Sequence, residues 1–185
     1  MELIQALYSR RSIRKYKNDP VPRELVKRLL EAAVMAPSGS NSQPWSFVVI
    51  QDKTQLKNFS DRAKVMFIDL MSKYPDPHDY KKLLSDPDFN IFYNAGTLII
   101  IYGDQSPNAY GDCSLAAQNL MLAAHGLGLG SCWIGFSHAL VNSPQFKQEL
   151  GIPESLTAVA PLIIGYSDVV PERYTRKEPE LLVWK

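Results

Sequence analysis

The chain has 185 residues, 45% hydrophobic and 21% charged, a composition typical of a single globular domain that would span residues 1–185. Its 20 lysines and arginines against 19 acidic residues give a net charge of +1, which argues against nucleic-acid binding because that function requires many phosphate contacts. No stretch approaches the roughly 20 apolar residues of a membrane span. No signal peptide is recognisable either, so we expect a cytoplasmic protein with no membrane partner.

Apolar periodicity and turn residues predict a mixture of helices and strands. In chain order these are a short helix ending near Ser9, a helix within 21–37, strands over 45–52 and 96–104, a helix over 110–130 capped by Asp112 or Ser114, a strand over 131–136, a helix over 143–151 and a strand over 156–166. The strand over 96–104 is apolar on both faces. A sheet containing it must therefore lie between helical layers.

Three segments need a special explanation. Residues 53–94 are rich in prolines and charges, which predicts broken helices and a variable surface lid rather than core. The helix over 110–130 is apolar around most of its circumference, which indicates a central helix or a subunit interface. Residues 168–185 are expected to form an extended arm, and its apolar end at 181–184 should dock on the chain's own core or on a partner.

The segment RRSIRKY at 10–16 concentrates four cations in seven positions of a nearly neutral chain. Arginine and serine side chains together are typical phosphate ligands, because a planar guanidinium and a hydroxyl both donate hydrogen bonds. A solvated basic surface at a helix end is an equally good interpretation of the spacing alone. A nucleic-acid patch is disfavoured by the neutral remainder of the chain.

Two further stretches offer polar or glycine-rich backbone. APSGSNSQPW at 36–45 carries more hydrogen-bonding side chains than a turn requires, and it could hold a polar heterocycle, although an ordinary turn has the same composition. GLGLGSCWIGF at 126–136 follows a helix and precedes a strand, whereas a dinucleotide fingerprint follows a strand and opens a helix. We therefore reject a Rossmann site, while Gly135 could still allow close approach of a flat ligand.

No set of side chains suggests protein-based catalysis. The histidines at 78, 125 and 138 share no metal-ligand spacing, and His125 is interpreted as a satisfied core residue. Cys113 and Cys132 are interpreted as reduced, buried thiols. Neither a nucleophile nor a metal site is predicted, so an enzyme of this sequence would need a bound cofactor for its chemistry.

Taken in order, these motifs resemble the FMN-dependent nitroreductase family. RRSIRKY resembles its opening motif, APSGSNSQPWSFVVI its second, and GDCSLAAQNLMLAAHGLGLGSCWIGF its central helix and following strand; PLIIGY and RKEPELLV resemble its closing segments. The resemblance covers nearly the whole chain, and residues 53–94 are the least recognisable part. It implies an α+β three-layer sandwich, with a mostly antiparallel sheet between helices, and an intertwined homodimer whose arms at 168–185 are exchanged.

The resemblance also implies that FMN lies at the subunit interface. The residues assigned to cofactor binding are Arg10, Arg11, Ser12, Arg14, Pro37, Ser38, Asn41, Ile134, Gly135 and Arg176. Arg10 and Ser12 would bind the phosphate, Arg14 would face the flavin near N1 and O2, and Arg11 would assist nearby. Ser38 and Asn41 would contact the flavin from the partner chain, and Pro37 would shape their loop.

The remaining assignments concern the backbone at 134–135 and the C-terminal cation. The backbone at 134–135 would meet the flavin near N5. Arg176 best matches the family's C-terminal phosphate-binding cation, although Arg173 or Lys177 could take that role because an extra residue precedes Pro179.

The activity implied by the resemblance is NAD(P)H-dependent reduction of nitroaromatic, quinone or related electron-poor molecules by a ping-pong mechanism. The chemistry would be carried by FMN, with no catalytic side chain and no metal, and Arg14 would tune the flavin. Alternatives on the same fold are a reductive dehalogenase or a flavin or peptide oxidase. An FMN-binding protein without turnover is a further alternative of a different class.

Overall fold

The computed structural model describes residues 2–73, 75–76, 78–169, 171–172 and 175–185. Within them the chain forms seven α-helices and four β-strands. These are α1 (Leu3–Ser9), α2 (Arg23–Ala33), β1 (Trp45–Ile50), α3 (Lys53–Met71), α4 (Tyr80–Ser85), β2 (Thr97–Gly103), α5 (Ala109–Gly126), β3 (Gly130–Trp133), α6 (His138–Val141), α7 (Pro144–Leu150) and β4 (Thr157–Gly165).

The four strands form one antiparallel sheet in the order β1-β2-β4-β3. Every residue of β2 is buried. Leu98 and Ile100 pack in the cluster that contains α3, whereas Ile99 and Ile101 pack in the cluster that contains α2 and α5. Because successive strand residues face opposite sides, this alternation requires a helical layer on each face. The predicted three-layer α+β sandwich is therefore confirmed.

Helix boundaries follow local capping chemistry. Pro22 immediately precedes α2, where its missing N–H costs nothing. The Ser143 hydroxyl accepts a hydrogen bond from the Phe146 backbone N–H at 3.3 Å, and Pro144 occupies the first turn of α7. The predicted cap of α5 is wrong. That helix begins at Ala109, so Asp112 and Ser114 lie inside it, and the Asp112 carboxylate accepts from the Gly39 N–H instead.

The expectation of broken helices outside the core is wrong for Lys53–Met71. This segment is one helix of 19 residues, capped by the Asp52 carboxylate, which accepts from the Gln55 N–H at 2.8 Å. Leu56, Phe59 and Ala63 are buried in the main core cluster. Their spacing places them on one helical face, and the polar residues that dominate the composition occupy the opposite face.

The helix α5 is buried on one side only. Ala116, Ala117 and Leu120 are completely buried against α2 and the sheet, while Leu115 on another face is 48% exposed. The arm at 175–185 contains no helix or strand, and Leu182 and Trp184 are 84% and 87% exposed. Docking of the arm on a partner, the division of the chain into one domain, lid and arm, and the homodimer all stay predictions.

None of the helices among the described residues is long and apolar enough to cross a membrane.

Candidate functional site

The segment at 10–16 is joined to the sheet by backbone pairing at Ser12 and Ile13. The Ile13 N–H donates to the Ser131 carbonyl at 3.0 Å, and Ser12 pairs with Ser131 as an isolated parallel bridge. Ile13 is buried against Gly130, where an added Cβ would come within 2.8 Å of it. The packing role of Ile13 leaves the side chains on either side of it free to face a ligand.

The four cations of this segment have different surroundings. Arg11 donates from Nη1 to the carbonyls of Tyr8 at 2.9 Å and Arg10 at 2.7 Å, and so caps the end of α1. Lys15 is 70% exposed and lies 3.7 Å from Asp168. Arg10 has neither a salt bridge nor a side-chain hydrogen bond to any other described residue, and Arg14, which lies beside the Tyr93 phenol, has no salt bridge among them. Their charges are available to a ligand.

Arg10 is half-buried beside other cations. Burial lowers its pKa, and the charges of Arg176 and Arg11 lower it further. Arg10 and Arg176 therefore lie near enough for their charges to repel, and neither has a salt bridge to a carboxylate among the described residues. Such an arrangement favours a bound anion, because an anion would offset both the repulsion and the lost hydration.

Three of the predicted residues converge on β3. Burial raises the pKa of the Cys132 thiol, and the Arg14 charge, a hydrogen bond from Ser12 and the Arg10 charge all oppose that rise. Ser131 beside them is 2% exposed, and its hydroxyl oxygen has no hydrogen-bond partner among the described residues. An orphaned buried hydroxyl is uncommon in proteins and is typical of a site whose polar ligand supplies the missing partner.

A cleft of about 350 Å³ opens beside these residues. It is lined by Arg14, Phe67, Tyr80, Tyr93, Trp133, Ile134, Gly135 and Phe136. Arg14 is the single charged residue among those that line it, within the described part of the chain. Burial raises the pKa of the Tyr93 phenol, and the neighbouring Arg14 charge opposes that rise.

The remaining walls of the cleft are aromatic. The ring of Phe136 lies edge-on to Phe67 at 5.0 Å and to Tyr80 at 5.3 Å between centroids. An added Cβ on Gly135 would meet no atom within 4 Å, so the backbone there borders open space. Flat aromatic walls around an accessible backbone suit a planar heterocyclic ligand.

The loop at 37–43 lies elsewhere. Pro37, Ser38 and Asn41 do not line this cleft. The Gly39 N–H donates to both oxygens of Asp112 near the start of α5, at 3.3 and 3.2 Å. Near the end of the same helix, His125 Nε2 lies 2.6 Å from the Ser9 hydroxyl. Since 13 residues of helix separate Asp112 from His125, the loop and the arginine segment lie about 20 Å apart along α5.

The structure thus brings together Arg10, Ser12, Arg14, Ile134 and Gly135, with Arg176 near Arg10. It does not bring the loop at 37–43 to them within one chain. Arg173, one of the alternative C-terminal cations, lies outside the described residues.

Sequence reasoning missed most of the aromatic wall. Phe67 and Tyr80 belong to the segment interpreted as a surface excursion, and Tyr93 lies at its end. The positive φ of Tyr93 (52°) and Asn94 (56°) marks a special turn that no sequence signal announced. Phe136 and Trp133 flank the predicted Ile134–Gly135 backbone and could have been found from that proximity.

The buried or half-buried histidine and cysteines outside the cleft have ordinary structural roles. His125 is half-buried and has the Ser9 hydroxyl as its partner; burial lowers its pKa, and the charges of Arg10 and Arg11 add to that. Cys113 and Cys132 are free and buried, and burial raises the pKa of Cys113 to about 11. The described residues hold no cluster of histidine, cysteine or carboxylate that could bind a metal.

Comparison with known proteins identifies the fold family. The profile of the Nitroreductase family matches residues 7–166. A Methanothermobacter thermautotrophicus protein, provisionally named NADH dehydrogenase/NAD(P)H nitroreductase, is 32% identical over 171 residues, which cover 90% of this chain and 78% of that protein. The iodotyrosine deiodinase of Thermotoga neapolitana is 27% identical over 177 residues, covering 91% and 90% of the two chains.

A solved structure agrees with these relatives. The Bacteroides fragilis nitroreductase, crystallised with bound FMN, superposes with a TM-score of 0.85 at 26% identity, and the match covers all of both chains. The family profile alone spans far more than half of the sequence, and it includes the arginine segment, the central helix and the backbone at 134–135. The chain belongs to the nitroreductase family.

Proposed function

We propose that the protein is an FMN-dependent oxidoreductase that uses NAD(P)H to reduce electron-poor small molecules of the nitroaromatic or quinone type. The observation that carries the proposal is the uncompensated Arg10–Arg176 pair next to an aromatic cleft with Arg14 at its wall. FMN has a chemical group that matches each of these features. Its dianionic phosphate suits the arginine pair, its planar ring system suits the aromatic cleft, and a polar linker joins the two.

The residues present fit this cofactor. Arg10, Ser12 and Arg176 would hold the phosphate, because their donors face no competing carboxylate. The orphaned Ser131 hydroxyl next to them has the chemistry to meet a polar linker. The aromatic cleft and the open backbone of Gly135 would receive the ring.

FMN, when bound, supplies the transfer of a hydride from a nicotinamide and of electrons to an acceptor. The chain's own contribution is electrostatic and steric. Arg14 places a positive charge on the wall of the cleft, where it would stabilise negative charge that develops during reduction. Phe67, Trp133 and Phe136 would shield a bound ring system from water on their sides of the cleft. Within the described part of the chain no carboxylate or histidine lines the cleft, so these residues offer no strong base there.

The size of the cleft supports alternating use by two substrates. Its volume of about 350 Å³ is near the lower end of the range for small-molecule pockets. Because the flavin ring would take up much of that volume, the nicotinamide donor and the acceptor would occupy the remaining space over the ring in turn, which gives ping-pong kinetics. The reduced state of both cysteines and the use of NAD(P)H favour the cytoplasm as the site of action.

A homodimer would complete the site. The loop at 37–43 and the arginine segment occupy opposite ends of α5, so one chain cannot bring them to one ligand. Two α5 helices paired antiparallel about a two-fold axis would place each loop beside the partner's arginine segment. The exposed face of α5 around Leu115 and the exposed apolar arm are surfaces that such a dimer would cover.

Reductive dehalogenation is a second candidate, favoured by the deiodinase relative. An amino-acid substrate has an ammonium group as well as a carboxylate, and the residues described as lining the cleft include no acidic partner for it. We therefore rank it below reduction of uncharged aromatic acceptors. An oxidase of flavin or peptides and a non-catalytic FMN carrier have no supporting contact of their own.

Anaerobic reduction tests the proposal. The purified protein should be yellow, should lose this colour on addition of NADH or NADPH, and should regain it when a nitroaromatic or quinone is added. Release of iodide from 3-iodotyrosine without turnover of quinones would favour the second candidate. A colourless protein that cannot be loaded with FMN would contradict both.

A further inference from the structure

The loop at 37–43 has an unusual backbone. Ser40, Asn41 and Gln43 have positive φ values of 54°, 56° and 48°, in the left-handed region that residues other than glycine seldom adopt. Internal hydrogen bonds supply part of its support: the Asn41 N–H donates to the Ser38 carbonyl at 3.0 Å, and the Gln43 N–H donates to the Ser38 hydroxyl at 3.0 Å. Such a conformation persists only where surrounding contacts enforce it.

The contact that ties this loop to the core is made by Asp112. Asp112 is buried, with only 6% of its surface exposed, and both of its carboxylate oxygens accept a hydrogen bond from the Gly39 N–H. No described lysine, arginine or histidine lies within 4.0 Å of it. A buried carboxylate without a cation is costly to retain in a fold. Its position in the first turn of α5 offsets part of this cost through the helix dipole.

The loop also lies close to α5 at a second point. An added Cβ on Gly39 would come within 2.4 Å of Asn108 Nδ2, so the backbone of the loop is packed directly on the residue that precedes α5. Gly39 is therefore fixed from two sides, and the segment from Ser38 to Asn41 is held on the end of a rigid helix. Binding residues on loops require this kind of support if they are to keep one geometry.

We propose that Asp112 is a positioning residue for the cofactor: its carboxylate anchors Gly39 and thereby holds Ser38 and Asn41 in the conformation in which they contact FMN bound by the partner subunit. This inference rests on the proposed function. It explains why Asp112 is kept as a buried carboxylate. Asp112 does not cap α5, because it lies inside the helix, and it forms no ion pair with a described residue; its hydrogen-bond partner is the backbone amide of Gly39.

The test compares Asp112→Ala and Asp112→Asn with the wild-type full-length protein. We expect Asp112→Ala to bind FMN about tenfold more weakly, because a charged hydrogen bond to the loop is lost. Asp112→Asn keeps an oxygen that can accept from Gly39 and should lose only about threefold, since neutral hydrogen bonds are roughly half as strong. The FMN dissociation constant is measured by quenching of flavin fluorescence on titration with apoprotein.

A second measurement separates positioning from general destabilisation. Hydrogen exchange of the peptide covering 37–43, in protein without FMN, should become faster in both variants. Exchange in α3 and β2 should stay unchanged. Asp104→Asn is the matched control: its side chain accepts from the Ser106 N–H at 2.8 Å near the same end of α5 and makes no contact with Gly39. This control should bind FMN and exchange like the wild type.

The outcomes are distinct. Wild-type binding of FMN, together with Asp112 variants that bind it within about twofold, would overturn the inference and leave the proposed function intact. Weaker binding without faster exchange at 37–43 would also overturn it, because the effect would then not act through the loop. If Asp112→Ala does not fold, the same criteria apply to Asp112→Asn. Wild-type protein that does not bind FMN would overturn the proposed function, and the inference with it.

Discussion

The arginine segment at 10–16 and the loop at 37–43 are both polar, both close to the N-terminus and both assigned to one cofactor, but they are held in different ways. The first is joined to β3 by backbone pairing and by the buried Ile13. The second is strained, and it is held on the start of α5 by the Asp112 carboxylate and by packing on Asn108. The cation cluster is thus supported by the central sheet of its own chain, whereas the loop is supported by the first turn of one helix.

The largest expected effect concerns the arginine segment. Arg10→Ala should weaken FMN binding by about 2–5 kcal/mol, the range for truncating one partner of a buried, hydrogen-bonded charge pair. Titration of the apoprotein with FMN measures this. Lys15→Ala is the control, because Lys15 is 70% exposed and its nearest acidic partner is the exposed Asp168. Equal losses in the two variants would mean that the segment is only a basic surface.

A substitution of Arg14 tests whether this residue of the segment acts in flavin reduction rather than in FMN binding. Arg14→Ala should retain much of its FMN but bleach about 100-fold more slowly with NAD(P)H, since removal of one preorganised donor typically slows a reaction by at least that factor. Anaerobic stopped-flow absorbance gives the rate. A wild-type rate in this variant would remove the electrostatic role assigned to Arg14.

Mixed dimers test whether the loop acts on the other chain. Arg10→Ala and Asn41→Gly each impair both sites of their own homodimers, and glycine is chosen because position 41 has a positive φ. If the loop acts in trans, a dimer with one chain of each kind has one doubly impaired site and one intact site. Titration should then reveal one wild-type FMN site per mixed dimer. If the loop acts within its own chain, every site carries one defect and none is restored.

The smallest expected effect is a pH dependence near the arginine segment. Burial and the neighbouring arginines lower the pKa of His125, so the folded protein resists protonation there more than the unfolded chain does. The contribution of His125 to stability is therefore complete above about pH 6.5 and is lost as the pH falls below that value. The free energy of unfolding of the FMN-free protein should decline less steeply below pH 6.5 in His125→Gln. Parallel curves for the two proteins would contradict this.

Much of the fold could be predicted because the signals are local. The double-sided apolar character of β2 required helices on both faces, and Ser143 followed by Pro144 announced the start of α7. The interior position of α3 was missed because prolines and charges in 72–94 dominated the composition of a longer window, although Leu56, Phe59 and Ala63 have helical spacing. The α5 cap was missed because helix formation extended upstream through Tyr110 and Gly111, which have no capping side chain.

The site residues, like the fold, could be predicted only where the signal is local in the sequence. Arg10, Ser12 and Arg14 could be singled out because they lie within one short, strongly basic segment of the sequence. Tyr93 and Phe67 meet Arg14 only through the tertiary fold, and no spacing in the sequence encodes that contact. The use of Asp112 was equally hidden, because a residue that looks like a helix cap becomes a loop anchor only once the helix start is known.

The proximity of Arg10 and Arg176 has a consequence for the sensitivity of the protein to proteolysis. These residues lie far apart in the sequence, and their like charges repel each other when no anion lies between them. A bound phosphate would join the ends electrostatically and make cofactor loading a condition for a well-held tail. Loss of FMN should then make residues 175–185 easier to cleave, and limited proteolysis with and without FMN would measure the difference.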